Sequence, residues 1–251
     1  MSTERPQGGM IMAAGLGTRM RPLTNDRPKP MIVVAGKPLI DHAIDRLIEA
    51  GVKLIVVNVH YRAEMLIAHL KRRSDGTKIV ISEESDELLG TGGGVAKALP
   101  YFDGKPFFVH NSDSIWIEGF GHALDAMIAR WDPEAMDALL LMASLSATIG
   151  YEGVGDFMMD SDGRLARVPE SRVSPFAFPG VQIVHPRLFD NPPKGPFSTN
   201  VLWDRSIAKG RLFGIRLDGT WMHIGTAAAL AEAEAFLADR SGDLRELNFG
   251  T

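Results

Sequence analysis

Residues 13–30 read AAGLGTRMRPLTNDRPKP and set four cations, Arg19, Arg21, Arg27 and Lys29, beside Gly15 and Gly17. Cations next to bare backbone N–H groups are the chemistry of phosphate binding. The chain has 251 residues and a formal net charge of −4, so this positive charge is a local feature. A dinucleotide-binding turn would need a third glycine and a helix directly after it, whereas position 20 is Met and Pro22 obstructs a helix interior. A P-loop would need Gly-Lys-Ser/Thr, which the stretch does not contain. The remaining reading is an extended loop, held open by Pro22, Pro28 and Pro30, that lays Arg19 and Lys29 along a polyphosphate. A solvated loop whose arginines form surface ion pairs is the competing explanation for an isolated Gly-x-Gly.

Further along, LLGTGGGVAKAL (88–99) places four glycines before a short helical pattern. Glycine weakens helices and strands, so such a cluster serves a tight path or a close backbone approach. An ordinary strand-to-helix turn is the alternative. FFVHNSDS (107–114) is an apolar strand running into Asn111, Ser112 and Asp113. A carboxylate at the carboxyl end of a buried strand faces the crevice of an open α/β sheet. There Asp113 is a candidate Mg²⁺ ligand, since magnesium takes one or two carboxylates together with substrate phosphates. Capping of a following helix by Asp113 is the alternative.

These residues need a scaffold, and the first 145 residues supply one. Met10–Ala13, Leu54–Asn58, Lys78–Ser82, Phe107–His110 and Ala138–Ala143 are apolar without alternation and are predicted as strands buried on both faces. A helix is expected between the first two. Pro38 suits its first turn, Ile40, Ala43, Ile44, Leu47 and Ile48 share a face, and Gly51 ends it. Met65–Leu70 and Leu124–Trp131 predict further helices, and the alternation implies a mostly parallel sheet between helical layers.

After about residue 150 the pattern changes. GDFMMDSDGRLARV predicts a hairpin turning at Asp162-Gly163, and a strand follows at Ala177–Val184. HPRLFDNPPKGPF is expected on the surface, and Ser198 is placed to cap a helix that Gly210 closes. Two strands are expected around Asp218-Gly219, then a last helix at Ala227–Ala238. The simplest organisation is one α/β domain over 1–251, with 1–145 as its core and a smaller α+β subregion over 146–251. Composition is 45% apolar and 23% charged, which gives no general affinity for nucleic acid. No apolar run is long enough to span a bilayer, the amino-terminal tail has no signal-peptide core, and cytoplasm is the default location. Without cysteine there are no disulfides, thiolate metal sites or cysteine nucleophiles.

The segment MAAGLGTRMRPLTNDRPKPM closely resembles the long signature of the sugar-1-phosphate nucleotidyltransferases, G-x-G-T-R-x-R-P-L-T…P-K-P, and the resemblance extends over essentially the whole chain. It implies a Rossmann-like fold of the GT-A type, a mostly parallel mixed sheet flanked by helices. It also implies transfer of a nucleotidyl group from a nucleoside triphosphate to a sugar 1-phosphate, with release of pyrophosphate. Among the short members the chain looks most like those that join UTP to N-acetylmuramate 1-phosphate, with those that join GTP to mannose 1-phosphate next. A monomer or a homodimer is expected, without nucleic-acid or membrane partners.

Carried over residue by residue, the resemblance puts Ala13, Ala14, Gly15, Gly17 and Thr18 around the nucleotide, Arg19 on the leaving pyrophosphate and Lys29 on the attacked phosphate. Gly90, Thr91, Gly92 and Asn111 complete the nucleotide side. Asp113 would hold Mg²⁺, with Mn²⁺ as a substitute. GDF (155–157) resembles a sugar-side motif, giving Gly155 and Asp156 to the acceptor, and FPGVQIVHPRLF offers Gly180 for close approach of the sugar ring. His185 is read as structural. WMHIGT (221–226) departs from the family's W-x-D-x-G-T. His223 stands where an aspartate would be the second metal ligand, and imidazole suits softer ions than magnesium. The change points to a subgroup with a different acceptor or to a weakened enzyme. It is also the one feature that favours a non-catalytic nucleotide or sugar-phosphate sensor.

Overall fold

The computed structural model describes residues 5–170 and 172–247, so both ends of the expected 1–251 domain lie outside the described residues. The first strand, β1 (Gly8–Met12), is followed by the loop that carries the cation cluster, then by α1 (Leu39–Glu49), β2 (Leu54–Val59), α2 (Ala63–Leu70) and β3 (Lys78–Glu83). Then come α3 (Gly90–Ala98), β4 (Phe107–Asn111), β5 (Ser114–Glu118), α4 (Ala123–Arg130), β6 (Ala138–Ser144) and β7 (Thr148–Ile149). The rest comprises β8 (Phe157–Met159), β9 (Leu165–Arg167), β10 (Phe176–Ala177), β11 (Val181–Val184), α5 (Asn200–Ala208), β12 (Leu212–Arg216), β13 (Gly219–His223) and α6 (Ala227–Leu247).

The main sheet has ten strands in the order β9-β8-β10-β6-β11-β4-β1-β2-β3, with β12 beside β6. β1 pairs in parallel with both β2 and β4, β2 with β3, and β6 with β12, whereas β11 runs antiparallel between β4 and β6. The sheet is therefore mixed and mostly parallel, with helices on both faces. Successive side chains of a strand point to opposite faces, and both faces are apolar here. Ile11, Val57, Phe108, Leu139 and Leu141 pack towards α1, α2 and α4. Met10, Val56, Phe107, Val109, Leu140 and Met142 pack towards α3 and α5. Strand β3 is the exception to two-sided burial. It forms the sheet edge, and of its residues only Ser82 is buried.

A second sheet has three strands in the order β5-β13-β7, and its β5 starts three residues after β4 of the main sheet ends. The short apolar run of β5, Ile115–Ile117, continues so directly from Asp113 that sequence reasoning did not separate it from the preceding strand. In β13, Trp221 pairs with Trp116 and His223 with Ser114. Although β12 and β13 flank Asp218-Gly219, they join different sheets, because Leu212–Arg216 pairs with β6. A third core of Met20, Ile32, Leu39, Ile115, Met222 and Ile224 ties the cation loop to this small sheet and to α6.

The hairpin at Asp162-Gly163 is present, closed by Asp160 Oδ1 accepting from the N–H groups of Asp162 and Arg164. The strand expected at 177–184 is broken into β10 and β11 around Gly180. In the proline-rich stretch Leu188 and Phe189 turn inward and are buried, so that segment is anchored as well as exposed. Thr199, one residue beyond the expected Ser198, occupies the N-cap of α5.

Candidate active site

In the strand order β4-β1-β2 the chain leaves β1 for β2 on one side and later returns as β4 on the other. Open α/β sheets bind ligands in the crevice at such a switch point, outside the carboxyl ends of the strands. The register aligns Met12 with Asn111, and the Ser112 N–H donates to Met12 O at 3.2 Å. The cation loop and the Asn-Ser-Asp segment therefore leave the sheet side by side.

The cation loop is not extended. Gly17 adopts a left-handed conformation (φ +63°), Thr18–Met20 and Lys29–Met31 form short 3₁₀ turns, and the Thr24 hydroxyl donates to Gly17 O at 2.8 Å. Burial of Met20 in the third core pulls the loop back on itself. A Cβ on Gly17 would lie 3.0 Å from Lys29 Cβ, so glycine there lets the two limbs meet. This doubling-back delivers Lys29 to Asp113, whose Oδ2 accepts from Lys29 Nζ at 2.5 Å.

Two clefts meet at this ion pair. The first encloses about 450 Å³ and is lined by Ala13, Ala14, Gly15, Gly17, Thr18, Arg19 and Lys29 from the loop, by Gly90 and Thr91, and by Asn111 and Asp113. The second encloses about 330 Å³ and is lined by Tyr151, Asp156, Arg167, Asn200, Trp203, Trp221 and His223, among others. Arg19, Asn111 and Asp113 line both. Gly92, Gly155 and Gly180 line neither. The glycines of 90–94 lie inside α3, not before it. Gly92 N–H donates to Phe197 O at 2.9 Å, and a Cβ there would lie 2.2 Å from the Phe197 ring. Gly180 (φ +84°) leaves room for Asn111, whose Nδ2 would be 2.4 Å from an added Cβ.

Sequence reasoning missed Asn58 and Glu84, both buried and both facing the first cleft. Asn58 Oδ1 accepts the Ala13 N–H at 2.6 Å, and its Nδ2 donates to Glu84 Oε1 at 2.7 Å. Glu84 Oε2 accepts the Leu89 N–H at 3.0 Å. This chain of hydrogen bonds fixes the start of the cation loop relative to the start of α3. The available signal was a polar residue ending each apolar run, in IVVN and ISEE. In the second cleft Tyr151, Arg167, Asn200, Trp203 and Trp221 were also missed.

Burial alone would raise the Asp113 carboxyl, but the Lys29 ammonium, helped by His223, outweighs it and holds the group below its usual value. His223 is also shifted down, which for an imidazole favours the neutral form. Burial lowers it, Asp113 opposes this, and Lys29 and Arg19 lower it further, so the imidazole is neutral at pH 7. Its ring packs against Trp221 and the edge of Tyr151. Among the described residues no group of three or more His, Cys, Asp or Glu side chains is arranged to hold a metal ion.

His110, one residue before Asn111, is buried beside Trp116, with Nδ1 2.7 Å from Asn111 O and Nε2 without a partner among the described residues. Burial lowers its pKa to about 4. The native state thus binds fewer protons than the unfolded chain, and stability falls as pH drops from about 6.5 towards 4. Between pH 6.5 and pH 5 this one group removes about 2 kcal/mol. Urea unfolding at both pH values should show His110→Phe losing less stability than the wild type by about that amount. Equal losses would refute the assignment.

The chain belongs to the nucleotidyl transferase family, whose profile matches residues 8–168, and within it to the sugar-1-phosphate nucleotidyltransferases. It is 47% identical to an N-acetylmuramate alpha-1-phosphate uridylyltransferase of Caulobacter vibrioides, over 94% of this chain and 99% of that one. A protein of the same description from Neisseria meningitidis is 34% identical over 90% of this chain and 96% of its own. A probable mannose-1-phosphate guanylyltransferase of Arabidopsis thaliana is 33% identical over 86% of this chain and 61% of its own. Among solved structures, a UDP-glucose pyrophosphorylase complexed with UDP-glucose shares the fold at a TM-score of 0.74 and 18% identity, over 94% of this chain and 99% of that one. Among the described residues no helix is long and apolar enough to cross a membrane.

Proposed function

We propose that the chain transfers a uridylyl group from UTP to N-acetylmuramate 1-phosphate. An oxygen of the acceptor's phosphate attacks the α-phosphorus in line, a new P–O bond forms, the bond to the β-phosphate breaks, and pyrophosphate leaves. The observation that carries the reading is the meeting of two clefts at Arg19, Asn111 and Asp113, with Lys29 bonded to Asp113. One cleft takes the nucleotide, the other the sugar phosphate, and the reacting groups meet between them. The division of labour follows, with residues 1–145 building the nucleotide side and 146–251 most of the acceptor side.

Each residue's task follows from its place. Gly15, Gly17, Thr18, Gly90 and Thr91 bring backbone close to base, ribose and phosphates. The N–H groups of Ala13 and Gly92 are already donated to Asn58 and Phe197, so these residues shape the cleft and Ala14 completes its wall. Arg19 neutralises the departing pyrophosphate and Lys29 the charge growing on the α-phosphoryl oxygens. Asn111 orients groups from both clefts. Asp156 faces the acceptor's hydroxyls, while Gly155 and Gly180 act through the backbone turns that place Asp156 and Asn111. One fixed carboxylate, Asp113, with the neutral imidazole of His223 beside it, suits a divalent ion whose remaining ligands are phosphate oxygens and water. When bound, Mg²⁺ or Mn²⁺ would add charge neutralisation of the triphosphate.

The likeness to mannose-1-phosphate guanylyltransferases makes GTP with mannose 1-phosphate the second reading. The test is a matrix of four nucleoside triphosphates against N-acetylmuramate, mannose, glucose and N-acetylglucosamine 1-phosphates, read by pyrophosphate release. UTP with N-acetylmuramate 1-phosphate is expected to turn over fastest. Faster turnover of GTP with mannose 1-phosphate would reverse the order, and no release with any pair would favour a sensor.

A further inference from the structure

The second cleft contains a cation that nucleotidyl transfer itself does not require. Arg167 stands on β9, in the hairpin that borders the acceptor side, and lines the second cleft but not the first. Its Nε donates to Asp204 Oδ1 at 2.7 Å and its Nη2 to Asn200 Oδ1 at 3.0 Å, both acceptors on α5. The guanidinium lies 4.8 Å above the centre of the Phe157 ring. Held on two sides and stacked on a third, it loses little freedom when it binds an anion. Nη1 has no hydrogen-bond partner among the described residues. Because Asn200 Oδ1 receives Arg167, its amide nitrogen is a further donor, and Asn200 also lines the cleft.

The charges around the cleft sort the two ends of an acceptor. At the junction with the first cleft stand Arg19 and the Lys29–Asp113 pair, which suit a phosphate. Asp156, whose Oδ2 accepts from the Phe178 N–H and the Tyr151 hydroxyl, is an anion that suits hydroxyls and repels another carboxylate. Arg167 is therefore the cation left for a second negative group on the acceptor. N-acetylmuramate differs from N-acetylglucosamine by such a group, a lactyl ether on O3 that ends in a carboxylate, while the phosphate is on C1. Arginine matches a carboxylate with a planar fork of donors.

We infer that Arg167, assisted by the Asn200 amide, binds the lactyl carboxylate and is the residue that selects N-acetylmuramate 1-phosphate over sugar phosphates lacking it. Asp204 anchors the guanidinium from behind and tempers its charge, so that the carboxylate is held without being trapped. The inference rests on the acceptor proposed above.

The decisive readout is the ratio of kcat/KM for N-acetylmuramate 1-phosphate to that for N-acetylglucosamine 1-phosphate, measured with UTP. Arg167→Gln keeps the stem on Phe157 and removes the charge, and should lower this ratio at least tenfold through KM for the muramate. Arg167→Lys, which keeps a point charge without the fork, should recover part of the ratio. A matched thermal melt shows that the hairpin still folds. A ratio unchanged in Arg167→Gln, even if both acceptors slow together, overturns the inference and leaves the acceptor assignment standing. A wild-type enzyme that does not prefer N-acetylmuramate 1-phosphate overturns both.

Discussion

Lys29→Ala is expected to lower kcat by about a hundredfold while changing KM for the nucleoside triphosphate far less. The expectation comes from where the ammonium is held. Lys29 reaches the junction of the two clefts because the cation loop doubles back at Gly17 and Thr24, and its side chain is only 12% exposed. In the proposed reaction its charge would meet the α-phosphoryl oxygens as negative charge grows on them, an interaction stronger in the transition state than in the bound substrate. Arg19, which lines both clefts, should behave differently. In the proposed reaction Arg19 would meet the triphosphate before and during the transfer, so in Arg19→Ala KM should rise together with a fall in kcat. Steady-state pyrophosphate release with both substrates varied separates the two patterns. A kcat within about twofold of wild type in Lys29→Ala would show that the lysine serves only to partner Asp113.

The central sheet was legible because its strands are buried from both faces. β1, β2, β4 and β6 form unbroken apolar runs, and their ends were expected within a residue or two of where they lie. The elements that escaped notice owe their position to partners distant in sequence. Ser114–Glu118 carries a short Ile-Trp-Ile run, but its pairing partner, β13, lies a hundred residues later. That pairing also separates β13 from β12, so a turn-like Asp218-Gly219 connects two sheets instead of closing a hairpin. Gly90 to Gly94 read as a loop by propensity, yet they form the first turns of α3. Contact with Phe197, whose carbonyl would lie 2.8 Å from a Cβ on Gly90, demands glycine and outweighs its poor helix propensity.

The first cleft was readable for a related reason. Most of its residues come from two contiguous stretches, 13–30 and 107–113, where a cation cluster and a strand-end carboxylate stand out against apolar neighbours. The second cleft is assembled from one or two residues on each of eight separate segments, and the ones missed include Tyr151, Arg167, Asn200 and Trp221. None carries a local pattern that distinguishes it from an ordinary surface or core residue. Asn58 and Glu84 fall between these cases, since a polar residue at a buried strand's carboxyl end is visible in sequence but its hydrogen bonds are not. Gly155 and Gly180 were expected to face the acceptor, but neither lines the second cleft, and the atoms nearest to them belong to Ser174 and Asn111.

Asp113→Asn should reduce turnover at fixed magnesium by about a hundredfold to a thousandfold, the range for removing one preorganised electrostatic group from such a site. Two losses combine. The Lys29 ammonium forfeits its charged partner in a pocket where the two side chains are 12% and 22% exposed, which should also lower stability by about 2 kcal/mol. The carboxylate is a fixed negative charge that the junction of the two clefts offers a divalent ion, whereas His223 is kept neutral by burial and by the nearby cations. Half-saturation by Mg²⁺ should therefore rise in Asp113→Asn. His223→Asp should move it the other way, because β13 sets position 223 opposite Ser114, directly beside Asp113, and a carboxylate there adds hard oxygen ligation. Mn²⁺ accepts imidazole more readily, so its advantage over Mg²⁺ in the wild type should shrink in His223→Asp. Titrations of both ions against the three proteins, with melts recorded alongside, test the pair together. If His223→Asp loses activity with unchanged half-saturation, the imidazole acts through a hydrogen bond to phosphate or water, and Asp113 alone sets the metal requirement.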